Sequence, residues 1–395
     1  MDEKIFARAA LAPKLTGIVK ISQKASEIKD FISFTVGLPA PEAVPVAQLR
    51  QIVHELVEEY GAELWKYTPP RGSIQSTLVE FLKEDNINVH EDNILITSGA
   101  LEAGNIITRA FINPGDTIII EAPVYPINLQ NFLMQTDNII TCPVDEEGIN
   151  VDELRKLLKR FRPKFVYVVP DFQNPTGVTL SLERRKELVK LAFEFDFLIF
   201  EDTPYRYMRY TGDRLPSLFE LAPERVLHVN SFSKILATGL RVGYLVAKQE
   251  YITRFITIKQ ATTYCTPIFN QLIVTKFLEK GLWQTQLERL KTVHLRKLEI
   301  FLDALKEHMP EEVNWNIPNG GTFIWLRLPQ QIDMKDLLNR ALKYGTAFIP
   351  STDFYPPNAK NIQKAMRLNF PHHKDERIRE GINRLANAIK DTLLG

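Results

Sequence analysis

The sequence predicts an α/β protein: a large domain with a mostly parallel, seven-stranded sheet flanked by helices, plus a smaller α+β domain. Three observations carry the prediction. Seven short, β-branched runs between residues 93 and 247 alternate with helical patterns, as in a parallel sheet covered on both faces. Polar residues follow the ends of those runs, where such sheets bind ligands. After Glu250 the texture changes to long helical patterns.

The totals fit this reading. The 395 residues suffice for one large or two moderate domains. With 49 Lys+Arg against 48 Asp+Glu, the net charge of +1 favours neither nucleic acid nor an anionic membrane. Cys142 and Cys265 sit in apolar surroundings and read as reduced core thiols. The seven histidines form no ligand cluster, so no metal is expected, and His372-His373 reads as surface. Met1-Asp-Glu-Lys opens no apolar signal segment, and no uncharged run could span a bilayer, so a cytoplasmic location is expected.

Taken in order, residues 1–30 are mixed and helical in pattern. Val36-Gly-Leu-Pro-Ala-Pro-Glu-Ala-Val-Pro45 must be extended, since three prolines forbid a regular element. Leu49, Ile52, Val53, Leu56, Val57 and Tyr60 mark an amphipathic helix, and Tyr67-Thr-Pro-Pro-Arg-Gly72 is a loop before the next helix. Strands are expected at 93–97, 117–121, 139–143, 165–169, 197–201, 226–229 and 242–247, with helices at 126–135, 151–161 and 181–195 among them. Helices then fill 266–308, followed by a helix at 333–343, a strand at 365–370 and a final helix from Asp375. The expected divisions are an N-terminal segment (1–45) packing with the small domain, a large domain (46–280) and the small domain (281–395).

The chemistry centres on Val229-Asn-Ser-Phe-Ser-Lys-Ile-Leu-Ala-Thr-Gly-Leu-Arg-Val-Gly243. Ser231, Ser233 and Arg241 offer hydroxyls and a planar guanidinium suited to a phosphate. Lys234, held near other cations and away from water, loses proton affinity and becomes an amine nucleophile. Phosphate plus reactive amine suggests pyridoxal 5′-phosphate held as a Schiff base. Other segments supply partners. Asn174, in the turn Asn-Pro-Thr-Gly, can offer its amide to a phenolate oxygen. Asp202 either keeps a pyridinium nitrogen protonated or caps a helix, and Tyr205 could direct its hydroxyl at the same ring. Ser98-Gly-Ala-Leu101 begins a helix whose free amides suit a phosphate. Tyr125 is a stacking ring or a plain core tyrosine. Arg367 is a grip on a substrate carboxylate or an edge-strand arginine.

In this order the motifs resemble fold-type I pyridoxal-phosphate enzymes of the class I/II aminotransferase group, over nearly the whole chain. Gly-Leu-Pro-x-Pro, Ser-Phe-Ser-Lys and Arg-Leu-x-Phe are most similar to the bacterial 2-aminoadipate (LysN-like) branch and to the effector domains of MocR-type regulators. The resemblance implies a catalytic Lys234 with Asp202 and Tyr125 beside it. It implies phosphate contacts from Ser231, Ser233, Arg241 and the amides of Ala100 and Leu101, within the turn Ser98–Leu101. Asn174, Asp202 and Tyr205 would contact the ring, and Arg367, Asn174 and the Gly37 backbone would bind the substrate carboxylate. Tyr67 matches a tyrosine sent across a homodimer interface. The chain departs from that branch at Val36, which replaces the first of two glycines, and at Pro350-Ser-Thr-Asp-Phe354, which replaces a Pro-Gly start. It also lacks an arginine in Leu15-Thr-Gly-Ile-Val-Lys20.

The expected function is amino-group transfer from an L-amino acid to a 2-oxo acid, with 2-oxoglutarate as acceptor, by ping-pong kinetics through a Lys234 internal aldimine. Alternatives are another pyridoxal-phosphate outcome (β-lyase, decarboxylase or oxidase) or a ligand-sensing regulator domain. The regulator reading needs a winged helix, and the stretch before Gly37 is too short for one.

Overall fold

The computed structural model describes residues 3–14, 16–25, 27–357, 359–360 and 362–394. Met1 and Asp2 of the polar start, and Leu15 of the arginine-free stretch, lie outside the described residues.

The expected large sheet is present, in the order Ile94–Thr97, Gly243–Val246, Val226–Ser231, Leu198–Asp202, Phe165–Val168, Ile118–Ala122, Ile139–Asp145 and Gly148–Ile149. The four contacts linking the five strands from Val226–Ser231 to Ile139–Asp145 are parallel. The contacts on either side of that block are antiparallel, so the sheet is mixed. The eighth strand was not expected. It is two residues long, formed by the hairpin through Gly148, and so short a run has no periodicity to read.

Ile94–Thr97, Ile118–Ala122, Phe165–Val168 and Gly243–Val246 are buried on both faces, which is why they read as continuous apolar runs with no alternation. Between them, two of the longer helices begin where a side chain satisfies a first free amide. Asn150 accepts from Glu153 N ahead of Val151–Arg160, and Ser181 accepts from Arg184 N ahead of Leu182–Glu194.

Beyond Val246, a helix at Gln249–Thr262 escaped the sequence reading, whereas Ile268–Glu279 and Leu282–His308 fall within the expected helical stretch. A four-stranded antiparallel sheet follows, in the order Asn314–Trp315, Phe323–Arg327, Ala365–Asn369, Ile349–Pro350, with Met334–Lys343 and Asp375–Leu394 packed about it. The N-terminal segment joins this region through Ile32–Ser33, which pairs in parallel with Thr346–Ala347.

Two expectations are corrected. Cys142 is buried and donates to the Asn150 carbonyl, but Cys265 is only partly buried and is no core thiol. His372 and His373 are not surface residues. Both are half-buried, and His373 Nε2 lies 2.7 Å from the Ser33 carbonyl, holding the N-terminal segment. Among the described residues no helix is long and apolar enough to cross a membrane, and no group of three or more His, Cys, Asp or Glu could hold a metal.

Candidate active site

At the carboxyl ends of the parallel strands lies a pocket with about 600 Å³ of free space, solvent at its mouth included, a size suited to a small molecule. Tyr125, Asn174, Asp202, Tyr205, Lys234 and Arg241 all face it.

One end is built for an anion. The strand Ile94–Thr97 turns through Ser98 and Gly99 into the helix Ala100–Phe111, whose first two residues line the pocket where amides lack intrahelical partners. Gly99 has φ +85°, and a Cβ there would stand 2.5 Å from Arg241 Nη2, so no other residue fits. Ser98 shapes this turn without lining the pocket. Its amide donates to Glu102, and its carbonyl accepts from Arg241 Nη2 at 3.0 Å. Opposite, the hydroxyls of Ser231 and Ser233 are 2.8 Å apart, and Arg241 Nη1 reaches Ser233 Oγ at 3.3 Å. Arg241 holds φ +51°, a left-handed conformation costing a non-glycine residue about 1–3 kcal/mol, as expected where function fixes the side chain.

Lys234 sits between the two ends. Its Nζ donates to the Gly37 carbonyl at 2.6 Å, tying the extended N-terminal segment to the pocket. Burial, then the charges of Arg367 and Arg241, push its amine down to about 8. The neutral, nucleophilic form is therefore populated above about pH 8 and lost as pH falls below it. In protein stripped of cofactor, covalent capture of added pyridoxal phosphate should accelerate through pH 8 and level off. Stopped-flow absorbance across pH 7 to 10.5 checks this, and a rate still climbing through pH 10 would mean an ordinary lysine.

Asp202 ends the strand Leu198–Asp202 and caps no helix, because a turn follows it. Its Oδ2 accepts from Tyr167 Oη at 2.9 Å and Asn128 Nδ2 at 3.0 Å, while its buried Oδ1 has no partner among the described residues. A buried carboxylate oxygen without a partner, on a residue that lines the pocket, is the complement of a cationic ring nitrogen. Burial raises the carboxyl to about 6, against the hydrogen bonds from Tyr167 and Asn128, which lower it.

Asn174 and Tyr205 complete the wall. Both are nearly fully buried. Their turns are braced from below: Asp171 pairs with Arg185 at 2.7 Å and Arg206 at 3.1 Å, and Arg206 also pairs with Asp85. Tyr125 is partly buried at the start of the helix Pro126–Gln135, with its ring at the pocket.

Arg367 is not an edge-strand arginine. Its strand, Ala365–Asn369, is central, and the residue is 1% exposed. Nη1 donates to Asn174 Oδ1 at 2.9 Å and Nη2 to the Thr35 carbonyl, with Phe323 4.3 Å and Phe354 5.3 Å from the guanidinium. Its Nε has no partner, and among the described residues no carboxylate lies within ion-pair distance. A buried, unpaired guanidinium is costly, and a bound carboxylate would offset that cost.

Tyr67 stands apart. It is 87% exposed and meets only the edge of Tyr264 among the aromatic rings, away from this pocket. The sequence reading missed Asn128 and Tyr167, which line the pocket and grip Asp202. A tyrosine inside the apolar run Phe165–Val168 carries no signal that separates it from core.

These residues suit pyridoxal phosphate: an anion cradle, a depressed amine and an open buried carboxylate share one pocket. The comparisons agree. Residues 29–385 match the family described as aminotransferase class I and II. The aromatic-amino-acid aminotransferase 1 of Thermococcus litoralis is 38% identical over 99% of this chain and 95% of its own length. The kynurenine aminotransferase of Pyrococcus horikoshii, solved with PMP, superposes with a TM-score of 0.93 at 37% identity, covering 99% of this chain and 98% of that one. LysN, the α-aminoadipate aminotransferase of Thermus thermophilus, solved with N-(5′-phosphopyridoxyl)-L-leucine, superposes with a TM-score of 0.92 at 33% identity, covering 99% of each chain.

The chain belongs to the class I and II aminotransferases, with the fold-type I architecture. It is a pyridoxal 5′-phosphate-dependent transaminase that moves an amino group between an amino acid and a 2-oxo acid.

Proposed function

We propose that Lys234, Asp202 and Arg367 are the working centre of this transaminase, with 2-oxoglutarate as acceptor. One observation carries the reading: a depressed lysine amine and an unpartnered buried carboxylate oxygen belong to residues lining one cleft, and an unpaired buried guanidinium reaches that cleft's wall through Asn174. The bound cofactor supplies the electron sink that makes the substrate Cα proton removable. Lys234 Nζ would anchor that cofactor covalently, and its free amine would take and return the Cα proton. Asp202 Oδ1 holds the proton on the ring nitrogen, Tyr125 stacks on the ring, and Asn174 and Tyr205 donate to its phenolate oxygen. The turn Ser98–Leu101, through the amides of Ala100 and Leu101, would hold the phosphate together with Ser231, Ser233 and Arg241. Arg367, with Asn174 and the Gly37 backbone, receives the substrate carboxylate.

Mixing enzyme with a single amino acid and no oxo acid tests transamination directly. One equivalent of 2-oxo acid per site, with conversion of the bound cofactor to its amine form, is expected. Catalytic formation of carbon dioxide, ammonia or hydrogen peroxide would instead favour the decarboxylase, lyase or oxidase outcome.

The protein acts as a homodimer in the cytoplasm in this reading, divided into residues 1–45, 46–280 and 281–395. The exposed Tyr67, beside exposed Trp65 and Tyr264, supports a shared interface whose Tyr67 completes the partner's phosphate site. Mixing Tyr67→Phe subunits with Lys234→Ala subunits should raise activity above the mean of the two parents at equal total concentration, because one site of each hybrid then carries neither lesion. No recovery despite subunit exchange confirmed by mass would place Tyr67 within its own site or outside both.

A further inference from the structure

Beneath the pocket, three side chains from three elements close a hydrogen-bonded triangle. Asn128 Nδ2 lies 2.8 Å from Tyr167 Oη and 3.0 Å from Asp202 Oδ2, and Tyr167 Oη lies 2.9 Å from the same oxygen. Proton counting fixes the directions. An amide nitrogen only donates, so Tyr167 Oη accepts from Asn128 and gives its own single proton to Asp202 Oδ2, which also faces the Asn128 amide. Asp202 Oδ2 thus receives two donors and has no room for a proton of its own. Only Oδ1 stays open.

We propose that Asn128 and Tyr167 are positioning residues that hold Asp202 as an anion and aim its Oδ1 at the cofactor's ring nitrogen. This rests on the reading of Asp202 given above. The neighbouring elements agree with it. Helix Ala100–Phe111 passes Asn128 at Gly104, where an added Cβ would stand 3.2 Å from Asn128 Oδ1 and 3.4 Å from Phe200 Cζ, so bulk there would push the amide out of line. Among the titratable groups around Asp202, Glu121 on Ile118–Ala122 opposes its charge, and burial holds that carboxyl well above its usual range. His228 on Val226–Ser231 favours the anion, weakly, since it already pairs with Glu201 at 2.8 Å. Tyr125 and Tyr205, the other ionisable groups nearby, stay neutral because burial raises both hydroxyls. The triangle is therefore the main device keeping Asp202 charged.

The test uses holoenzyme carrying cofactor labelled with ¹⁵N in the ring, whose NMR signal reports ring protonation. Tyr167→Phe and Asn128→Ala should each move the signal towards the neutral-ring position and lower kcat about 10- to 100-fold, the usual cost of losing a group that orients a working ligand. KM should change little. Gly104→Ala, which leaves both polar groups in place, should give a smaller shift of the same sign. Asp202→Asn should give the full shift, and adding Tyr167→Phe to it should move the signal no further. A wild-type signal in folded Tyr167→Phe and Asn128→Ala, whatever their rates, would overturn the proposal and leave the pair as ordinary packing. An unchanged signal in Asp202→Asn would sink the reading of Asp202 itself and the proposal with it.

Discussion

Lys234→Ala is expected to lose turnover by at least about 10⁴-fold, the upper end of what one positioned acid–base group contributes, because it also removes the covalent anchor. The fold should survive. The side chain's one protein hydrogen bond is to the Gly37 carbonyl, and its amine is depressed chiefly by burial, so alanine relieves a desolvation cost. Thermal unfolding should therefore occur at or above the wild-type midpoint in cofactor-free protein. Cofactor can still bind non-covalently through the cradle of Ser231, Ser233 and Arg241. Turnover within tenfold of wild type would show that Lys234 neither anchors nor moves a proton.

Asp202→Asn is expected to retain cofactor and lose about 10²- to 10³-fold in kcat, the range seen when one preorganised charge-stabilising group is removed. The amide keeps the shape but not the charge. It also sets a donor or a neutral acceptor against Tyr167 Oη and Asn128 Nδ2, which now meet a carboxylate oxygen. The loss should fall on kcat, because in the proposed roles Asp202 serves the cofactor ring and Arg367 the substrate carboxylate. Equal rates for variant and wild type across pH 6 to 9 would contradict the assignment.

Much of this site was legible because its residues follow apolar runs. A polar side chain just past a buried strand has few structural reasons to be there, and Asp202, Asn174, Ser231 and Lys234 all stand in such places. The sheet was legible for a related reason: strands covered on both faces show as unbroken apolar runs, as Ile118–Ala122 does. What stayed hidden depends on partners distant in sequence. Arg206 and Asp85 meet across 121 residues, and neither neighbourhood announces the other. Tyr167 looks like core because it is core on one side and hydrogen-bonds only through its hydroxyl. The two-residue strands Asn314–Trp315, Thr346–Ala347 and Ile349–Pro350 are set by their pairing, which short runs do not encode. Arg367 needed the fold as well, since only the register opposite Trp325 and Ile349 makes its strand central.

The central claim is that Lys234 carries the cofactor, and the chain holds a rival. Lys259 is fully buried and its amine is also depressed by burial, but its Nζ is spent on the Ile96 carbonyl and Thr266 Oγ1, with Glu102 at 3.7 Å. Borohydride reduction of the holoenzyme, followed by digestion and peptide mass mapping, decides between them. One phosphopyridoxyl group per chain is expected, on the peptide containing Ser233-Lys234-Ile235. Label on Lys259, or spread over surface lysines at the level given by denatured protein, would contradict that claim.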